Sequence, residues 1–218
     1  MAWAGFAFAF LVFFLSHSLP VRPPLRTILV RRLGPRGFTL AYSALSLAVL
    51  CWLIVAAARA PYVSVWSWAP WQSHLALMLM LAACVLLGVS IGRPNPFSFG
   101  GAHNDRFDPD RPGVVRLTRH PLLLALALWS GGHLIANGDL AHVILFATFA
   151  GFAILGGRLI DRRKRREMGS DWDRILRAVQ RAPRFQIGMQ PVELACRRAA
   201  ALLVYAVLLG AHPWVIGV

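Results

Sequence analysis

Charge is scarce in this sequence of 218 residues, and acidic charge is the scarcer kind. Charged side chains make up 15% of the chain, and Asp and Glu together number nine against 23 Lys and Arg. Hydrophobic residues make up 57%, and the mean hydropathy is +0.58. Soluble globular domains carry about a quarter charged residues. The composition therefore excludes an ordinary soluble domain and predicts a single membrane domain over residues 1–218.

Cysteine patterns are also missing. The chain has three cysteines and no C-x-x-C spacing, which argues against a disulfide framework and against a thiolate zinc site. No C-x-x-C-H sequence is present, so covalently attached haem is excluded. The net charge of +14 alone would suit a nucleic-acid-binding protein. Because the basic residues stand between long apolar stretches, we expect no nucleic-acid partner and contact with membrane lipid instead.

Six apolar segments are long enough, or nearly so, to cross a bilayer, which takes about 20 residues of helix. The first one lacks the basic start and the A-x-A site of a cleaved signal sequence, so it is interpreted as a retained helix. The sequence therefore predicts an all-α integral membrane bundle of about six transmembrane helices. We expect them at about 2–19, 37–58, 74–92, 120–136, 140–157 and 199–217.

Basic residues are concentrated in alternate loops. Of the 23 Lys and Arg residues, 22 follow the first, third and fifth apolar segments, and only Arg59 falls on the other side. Cytoplasmic loops of membrane proteins are enriched in Lys and Arg. The partition therefore predicts that both termini face outward, away from the cytoplasm. The densest run, 162–166, is explained by this topology and by contact with anionic lipid head groups.

Residues 93–119, called the polar loop below, are rich in Gly, Pro, Asn and Asp. Long ordered loops of this kind are often functional. Arg116 and Arg119 stand at its end beside His120, in the same loop as three acidic residues, Asp105, Asp108 and Asp110. The sequence leaves open whether these groups form structural ion pairs or a site for a polar ligand.

Four of the seven histidines lie in apolar segments or at their ends, close to aromatic or glycine residues: His17, His120, His133 and His212. Ionisable groups at membrane depth are costly, so each invites a functional hypothesis. Neutral imidazole is an ordinary axial ligand of haem iron, and several such histidines in one small bundle favour a non-covalent haem b. The alternative for each is a histidine that only hydrogen-bonds a neighbouring helix.

Spacing limits which histidines could share one haem. His133 is thirteen residues beyond His120, about 20 Å along an α-helix. We therefore expect His133 at the level of His212 or His142. In the six-helix topology His17 and His120 both lie at inner helix ends, which places His17 far from His133.

A specific run of residues carries a family resemblance. Residues 113–121, GVVRLTRHP, followed by Trp129, His133 and the 137–139 turn NGD, resemble the NnrU family of membrane proteins. The resemblance extends to 92–96, GRPNP, and to the regions of His17 and His212, and so covers most of the chain.

The resemblance implies a function. NnrU proteins are named from bacterial denitrification and nitric oxide metabolism, and the family is similar to plant 15-cis-zeta-carotene isomerase, a haem b membrane enzyme. It implies haem ligation by His17 and His133, with either an isomerase-like reaction on an apolar substrate or an accessory role in nitrogen oxide metabolism. The isomerase also uses a cysteine near the second ligand, where this chain has Ser130.

A wider resemblance points to another class of protein. Arg119-His120-Pro121 at the start of a helix, followed by a helical hairpin and the 161–172 segment, is similar to isoprenylcysteine and phospholipid methyltransferases. It implies S-adenosylmethionine binding through Arg119, His120 and that segment. The paired glutamates of those enzymes are absent, and Asp161-Arg162 stands near their place. A membrane scaffold protein without a cofactor is the third interpretation.

Overall fold

The computed structural model describes residues 2–184 and 188–216. Within these ranges the chain forms α-helices and two short 3-10 helices, at Asn104–Arg106 and Gly113–Arg116, and no strand. The α-helices are α1 (Ala2–Ser18), α2 (Leu25–Ala58), α3 (Pro70–Ser90), α4 (Pro121–Ala136), α5 (Leu140–Met168), α6 (Ser170–Arg181) and α7 (Pro191–Ile216). The predicted all-α fold class is confirmed.

Six of these helices are apolar along most of their length. Four of them, α2, α3, α5 and α7, are long and apolar enough to cross a membrane, and α1 and α4 are shorter apolar helices. Large apolar side chains stand exposed on them, among them Leu40, Ile154 and Leu203. An apolar surface of this kind suits lipid, and the protein is therefore a membrane protein in contact with lipid.

Several helix boundaries differ from the predicted ones. Helix α3 begins at Pro70 rather than near 74, and α5 continues to Met168 rather than ending near 157. Helix α2 begins at Leu25 rather than near 37, and its arginine-rich first part meets the apolar part at Gly34, whose φ of 70° and ψ of 165° break the helix. Helix α7 begins at Pro191, a residue that suits the first turn of a helix, rather than near 199. The six predicted helices do not include α6, which lies between α5 and α7.

The chain divides into two compact units. Unit 1 comprises the described residues within 1–67 and 138–145, and α1 packs against α2 in it. Its buried side chains include Phe6, Ala9 and Leu53. Backbone hydrogen bonds from Val65 to Gly138 and from Leu140 to Val63 join its two chain segments.

Unit 2 comprises the described residues within 68–137 and 146–218, and α3 packs against both α4 and α7 in it. Two glycines allow these close approaches. A Cβ at Gly132 would lie 3.3 Å from Ala76 Cα of α3, and a Cβ at Gly88 would lie 2.8 Å from Ala201 Cβ of α7. Small residues at such contacts are typical of membrane helix pairs.

Helix α6 is amphipathic and packs by its apolar face onto the polar loop. Trp172 and Val179 of α6 are buried with Phe97 and Val115 of the loop. The rings of Phe97 and Trp172 meet edge to face with centroids 5.0 Å apart. This small core keeps the polar loop in place at the ends of α3 and α4.

Candidate functional site

Two histidines meet in unit 2. His133 lies in the last turn of α4 and His212 near the end of α7, and their ring centroids are 6.1 Å apart at an interplanar angle of 48°. His133 Nδ1 lies 2.8 Å from the carbonyl oxygen of Trp129. A carbonyl only accepts, so Nδ1 carries the proton and Nε2 is the nitrogen that retains a lone pair in the neutral ring.

Aromatic side chains surround His133. The Trp129 ring lies 5.2 Å and the Phe146 ring 4.9 Å from the His133 ring, centroid to centroid. The ring of Phe149 lies near this group, with its centroid 5.8 Å from that of Trp129. Ser130, which stands where the isomerase resemblance expects a cysteine, is fully buried and donates its hydroxyl to the carbonyl oxygen of Leu126 at 2.7 Å. The rings that pack near His133 are therefore aromatic, and the Ser130 hydroxyl makes its hydrogen bond within α4.

Two adjacent glycines precede His133, and their surroundings differ. Gly132 faces α3, as described above. Gly131 faces open space, since no described atom lies within 4 Å of the position that its Cβ would take. Gly132 thus allows the close approach of α3, whereas Gly131 leaves open space beside α4.

His17 lies in unit 1, near the end of α1. Its Nδ1 lies 2.8 Å from the carbonyl oxygen of Phe13, and its ring rests against that of Phe13 with centroids 4.0 Å apart. The hydroxyl of Tyr42 donates to the backbone oxygen of His17 at 3.1 Å. His17 therefore has the same protonated Nδ1 as His133, while the other three candidate histidines belong to unit 2.

His120 lies at the opposite end of α4 from His133 and belongs to a polar triad with Arg119 and Asp161. The Asp161 carboxylate accepts hydrogen bonds from Arg119 Nη2 at 2.6 Å, from Arg119 Nε at 3.2 Å and from His120 Nε2 at 2.9 Å. His120 Nδ1 lies 3.0 Å from the hydroxyl oxygen of Ser98. Both ring nitrogens of His120 are thus engaged in hydrogen bonds.

Local sequence explains how the triad forms. Pro121 starts α4, so His120 stands just outside the helix. Gly157 of α5 leaves room for the imidazole, because a Cβ there would lie 3.2 Å from His120 Cδ2. Asp161 is one turn further along α5 and meets the two side chains. The acidic partner of Arg119 therefore comes from α5 and not from the polar loop.

The remaining charged residues of the polar loop have other contacts. Arg116 Nε donates to the backbone oxygen of Ala182 at 2.8 Å. Asp108 accepts from the backbone nitrogen of Asp110 at 2.9 Å.

Of the sites considered from the sequence, the structure brings together His133 with His212, and Arg119 with His120. His74 and His103 are exposed, and His142 binds Asp139 at 2.6 Å.

His133 and His212 are the two candidate histidines whose rings lie near each other. Two imidazoles that bind one metal ion from opposite sides have centroids about 6 Å apart when each metal–nitrogen bond is about 2 Å, close to the 6.1 Å observed. In the part of the chain that the structure describes, no three His, Cys, Asp or Glu side chains form a group that could hold a metal ion.

Two contacts of the candidate sites were not predicted. Ser98 binds His120, and Phe146 covers His133. Both contacts join segments that are distant along the chain, and nothing in the local sequence around Ser98 or Phe146 marks either residue. Asp161 was noticed only through the methyltransferase resemblance, although it is the first acidic residue after the long apolar stretch of α5.

Comparison with known proteins places the chain in a family. No curated protein and no solved structure matches it. A family model described as NnrU protein matches residues 5–218. Because this match covers nearly the whole chain, the protein belongs to the NnrU family, as the resemblance predicted.

Proposed function

We propose that this NnrU-family protein binds haem b in the apolar part of unit 2, where His133 and His212 would hold its iron. The observation that carries the proposal is the 6.1 Å separation of the two imidazole rings. Helices α4 and α7 both pack on α3, which holds the two histidines on a common support.

The proton on His133 Nδ1 supports ligation. Ligating histidines almost always donate their other ring N–H, often to a backbone carbonyl, and this fixes the tautomer and the ring orientation. His133 meets that requirement through Trp129. His120 does not suit the role, because Asp161 and Ser98 occupy both of its nitrogens.

A bound haem would supply one-electron redox chemistry. The protein's part is to exclude water and to accept a flat apolar group, and Trp129, Phe146 and Phe149 provide the aromatic surface for this. We infer an isomerase-like reaction on an apolar substrate drawn from the bilayer, or an accessory role in nitrogen oxide metabolism. Both follow from the family resemblance, and the apolar setting of His133 supports the first.

The test is an absorbance spectrum of the full chain, purified in mild detergent from haem-replete cells, oxidised and dithionite-reduced. We expect a near-stoichiometric Soret band and sharp α and β bands after reduction, as six-coordinate haem b gives. His133→Ala and His212→Ala should each remove or shift these bands. His74→Ala is the matched control, because His74 is an exposed histidine of α3 in the same unit, and it should leave the spectrum unchanged.

Contrary outcomes are equally clear. A chain without a Soret band after haem supplementation would refute haem binding. Loss of the bands in His17→Ala but not in His212→Ala would make His17 the second ligand, as the resemblance implies, and our pair would be wrong.

We further propose that the protein lies in the bacterial inner membrane with both termini in the periplasm. The support is the partition of 22 of the 23 basic residues to one side of a six-helix arrangement. The polar loop and α6 would then lie in the cytoplasm. Alkaline phosphatase fused after the C-terminus should be active, and an inactive fusion at that position would contradict this orientation.

A second candidate is an S-adenosylmethionine-dependent methyltransferase. The observation that favours it is that Asp161, near the place of the missing glutamate pair, contacts both Arg119 and His120. A cavity of about 320 Å³ adjoins Arg119 and His120 and is bounded by Leu176 and Gln180 of α6. If this candidate is right, the chain binds S-adenosylmethionine in a calorimetric titration and Arg119→Ala abolishes the binding.

A further inference from the structure

A larger cavity lies in unit 2 where the end of α3, the polar loop and the start of α7 meet. Its volume is about 430 Å³, which is within the range of small-ligand sites. Four arginines and two acidic residues line it: Arg93, Arg106, Arg111 and Arg197, with Asp108 and Glu193. The ionised side chains of its wall therefore carry two more positive charges than negative ones.

Two of the arginines are held in fixed positions. Glu193 accepts from Arg93 Nη1 at 3.3 Å and from Arg197 Nε at 2.9 Å, so that one carboxylate serves two guanidinium groups. Arg93 Nη2 also donates to the backbone oxygen of Gly188 at 2.7 Å, and Arg197 Nη1 to that of Ile91 at 3.0 Å. Pre-positioned guanidinium groups lose less freedom when they bind an anion.

The other two arginines, Arg106 and Arg111, differ in the contacts that the structure describes for them. Among the described residues neither Arg106 nor Arg111 forms a side-chain ion pair or hydrogen bond, and both are exposed. Their donors remain available to a ligand in the cavity. A guanidinium group offers parallel N–H donors that match two oxygens of a phosphate.

A buried hydroxyl adds to this wall. Ser90, the last residue of α3, is 6% exposed and lines the cavity. Within the described part of the chain its hydroxyl oxygen has no hydrogen-bond partner. Buried polar groups in native proteins nearly always have partners, so this hydroxyl points to a bound molecule or ordered water in the cavity.

The cavity also lies at the level where membrane helices end. Ser90 closes α3, and Pro121, which opens α4, lines the same cavity. We propose that this cavity binds a phosphate group of an anionic ligand, and the location favours the head group of an anionic phospholipid. A soluble phosphate ester or free phosphate would satisfy the same guanidinium groups. This site is separate from the histidine pair and does not depend on haem.

The test uses the full chain purified in an uncharged detergent. Native mass spectrometry during a titration with phosphatidylglycerol counts bound lipid, and phosphatidylcholine is titrated in parallel as a lipid without net charge. Inorganic phosphate is then added as a competitor. The variants are Arg106→Gln and Arg111→Gln, and the matched control is Arg177→Gln, which removes an exposed arginine of α6 outside the cavity.

We expect one phosphatidylglycerol to bind more tightly than phosphatidylcholine, and each cavity variant to weaken that binding about tenfold, as the loss of a charge-assisted hydrogen bond does. Arg177→Gln should bind as the parent chain does. Competition by inorganic phosphate would show that the site recognises phosphate from either source, and lack of competition would assign it to the lipid. Absence of preferred phosphatidylglycerol binding, or equal weakening by Arg177→Gln, would overturn the proposal.

Discussion

Asp161→Asn is the sharpest test of the polar triad, because the substitution keeps the shape of the side chain and removes its charge. The carboxylate accepts three hydrogen bonds, two from Arg119 and one from His120. An asparagine keeps one oxygen acceptor but presents an NH2 group to donors that it cannot satisfy. The Arg119 guanidinium then stays in place without its counter-charge.

The size of the effect depends on how much water reaches the triad. Removing one partner of a fully buried ion pair costs about 3–5 kcal/mol. Here the Asp161 side chain is 25% exposed and that of Arg119 38% exposed, so solvent replaces part of the lost interaction, and we expect a loss of about 2 kcal/mol in the free energy of unfolding. The control is Asp171→Asn. Its ion pair with Arg174 on α6 is 59% and 68% exposed, and its loss should cost less than about 0.5 kcal/mol.

The assay is reversible unfolding in mixed micelles, with increasing sodium dodecyl sulfate in an uncharged detergent, monitored by tryptophan fluorescence. Asp161→Asn should shift the midpoint clearly to lower sodium dodecyl sulfate and Asp171→Asn should hardly move it. Equal shifts for the two variants would refute the argument that the triad joins α4 to α5 in a way that a surface ion pair does not.

Two further predictions use matched pairs of substitutions. Gly88→Ala places a methyl group 2.8 Å from Ala201 Cβ, so α3 and α7 must separate and the unfolding free energy should fall by about 1–3 kcal/mol; Gly151→Ala meets open space and should be neutral or gain about 0.5–1 kcal/mol. Trp172→Ala empties the core beneath α6, where Trp172 is 4% exposed, and should cost about 3–5 kcal/mol and speed proteolysis of the polar loop. Trp214→Ala, at a side chain that is 88% exposed, should change neither, and similar effects of the two tryptophan variants would contradict this packing.

Hydropathy revealed the parts of the fold that face lipid, because a run of apolar residues is itself the requirement for crossing a bilayer. It could not reveal the first part of α2, where arginines at 26, 31 and 32 resemble the composition of a loop. That part is helical, and Arg26 lies over the ring of Phe38 at 5.9 Å, across the break at Gly34. A charged helix at the membrane surface has too little apolar length to be detected by hydropathy alone.

Hydropathy does not detect helix α6, but the spacing of its apolar residues does. Trp172, Ile175, Leu176 and Val179 recur at helical spacing and bury one face on the polar loop. Periodicity within the charged 161–198 stretch would have indicated an amphipathic helix there.

The candidate sites were predictable only in part. Spacing along α4 set His120 apart from His133 and put His133 at the level of His212 or His142, and the structure places the His212 ring near that of His133. The pairing of Arg119 with Asp161 joins residues 42 positions apart. Such a contact depends on how the helices pack, which cannot be predicted from the pattern of a single sequence.

Helix α5 touches both candidate sites of unit 2. The Phe146 ring packs near that of His133, and Asp161 hydrogen-bonds His120. Phe146 and Asp161 are fifteen positions apart, which corresponds to about 22 Å along an α-helix. No proline interrupts α5 between these two positions. The same helix therefore contributes to the aromatic surroundings of His133 and to the charged triad of His120. A substitution that displaces α5 along its axis is expected to move Phe146 and Asp161 together, and so to alter both candidate sites although they share no ligand.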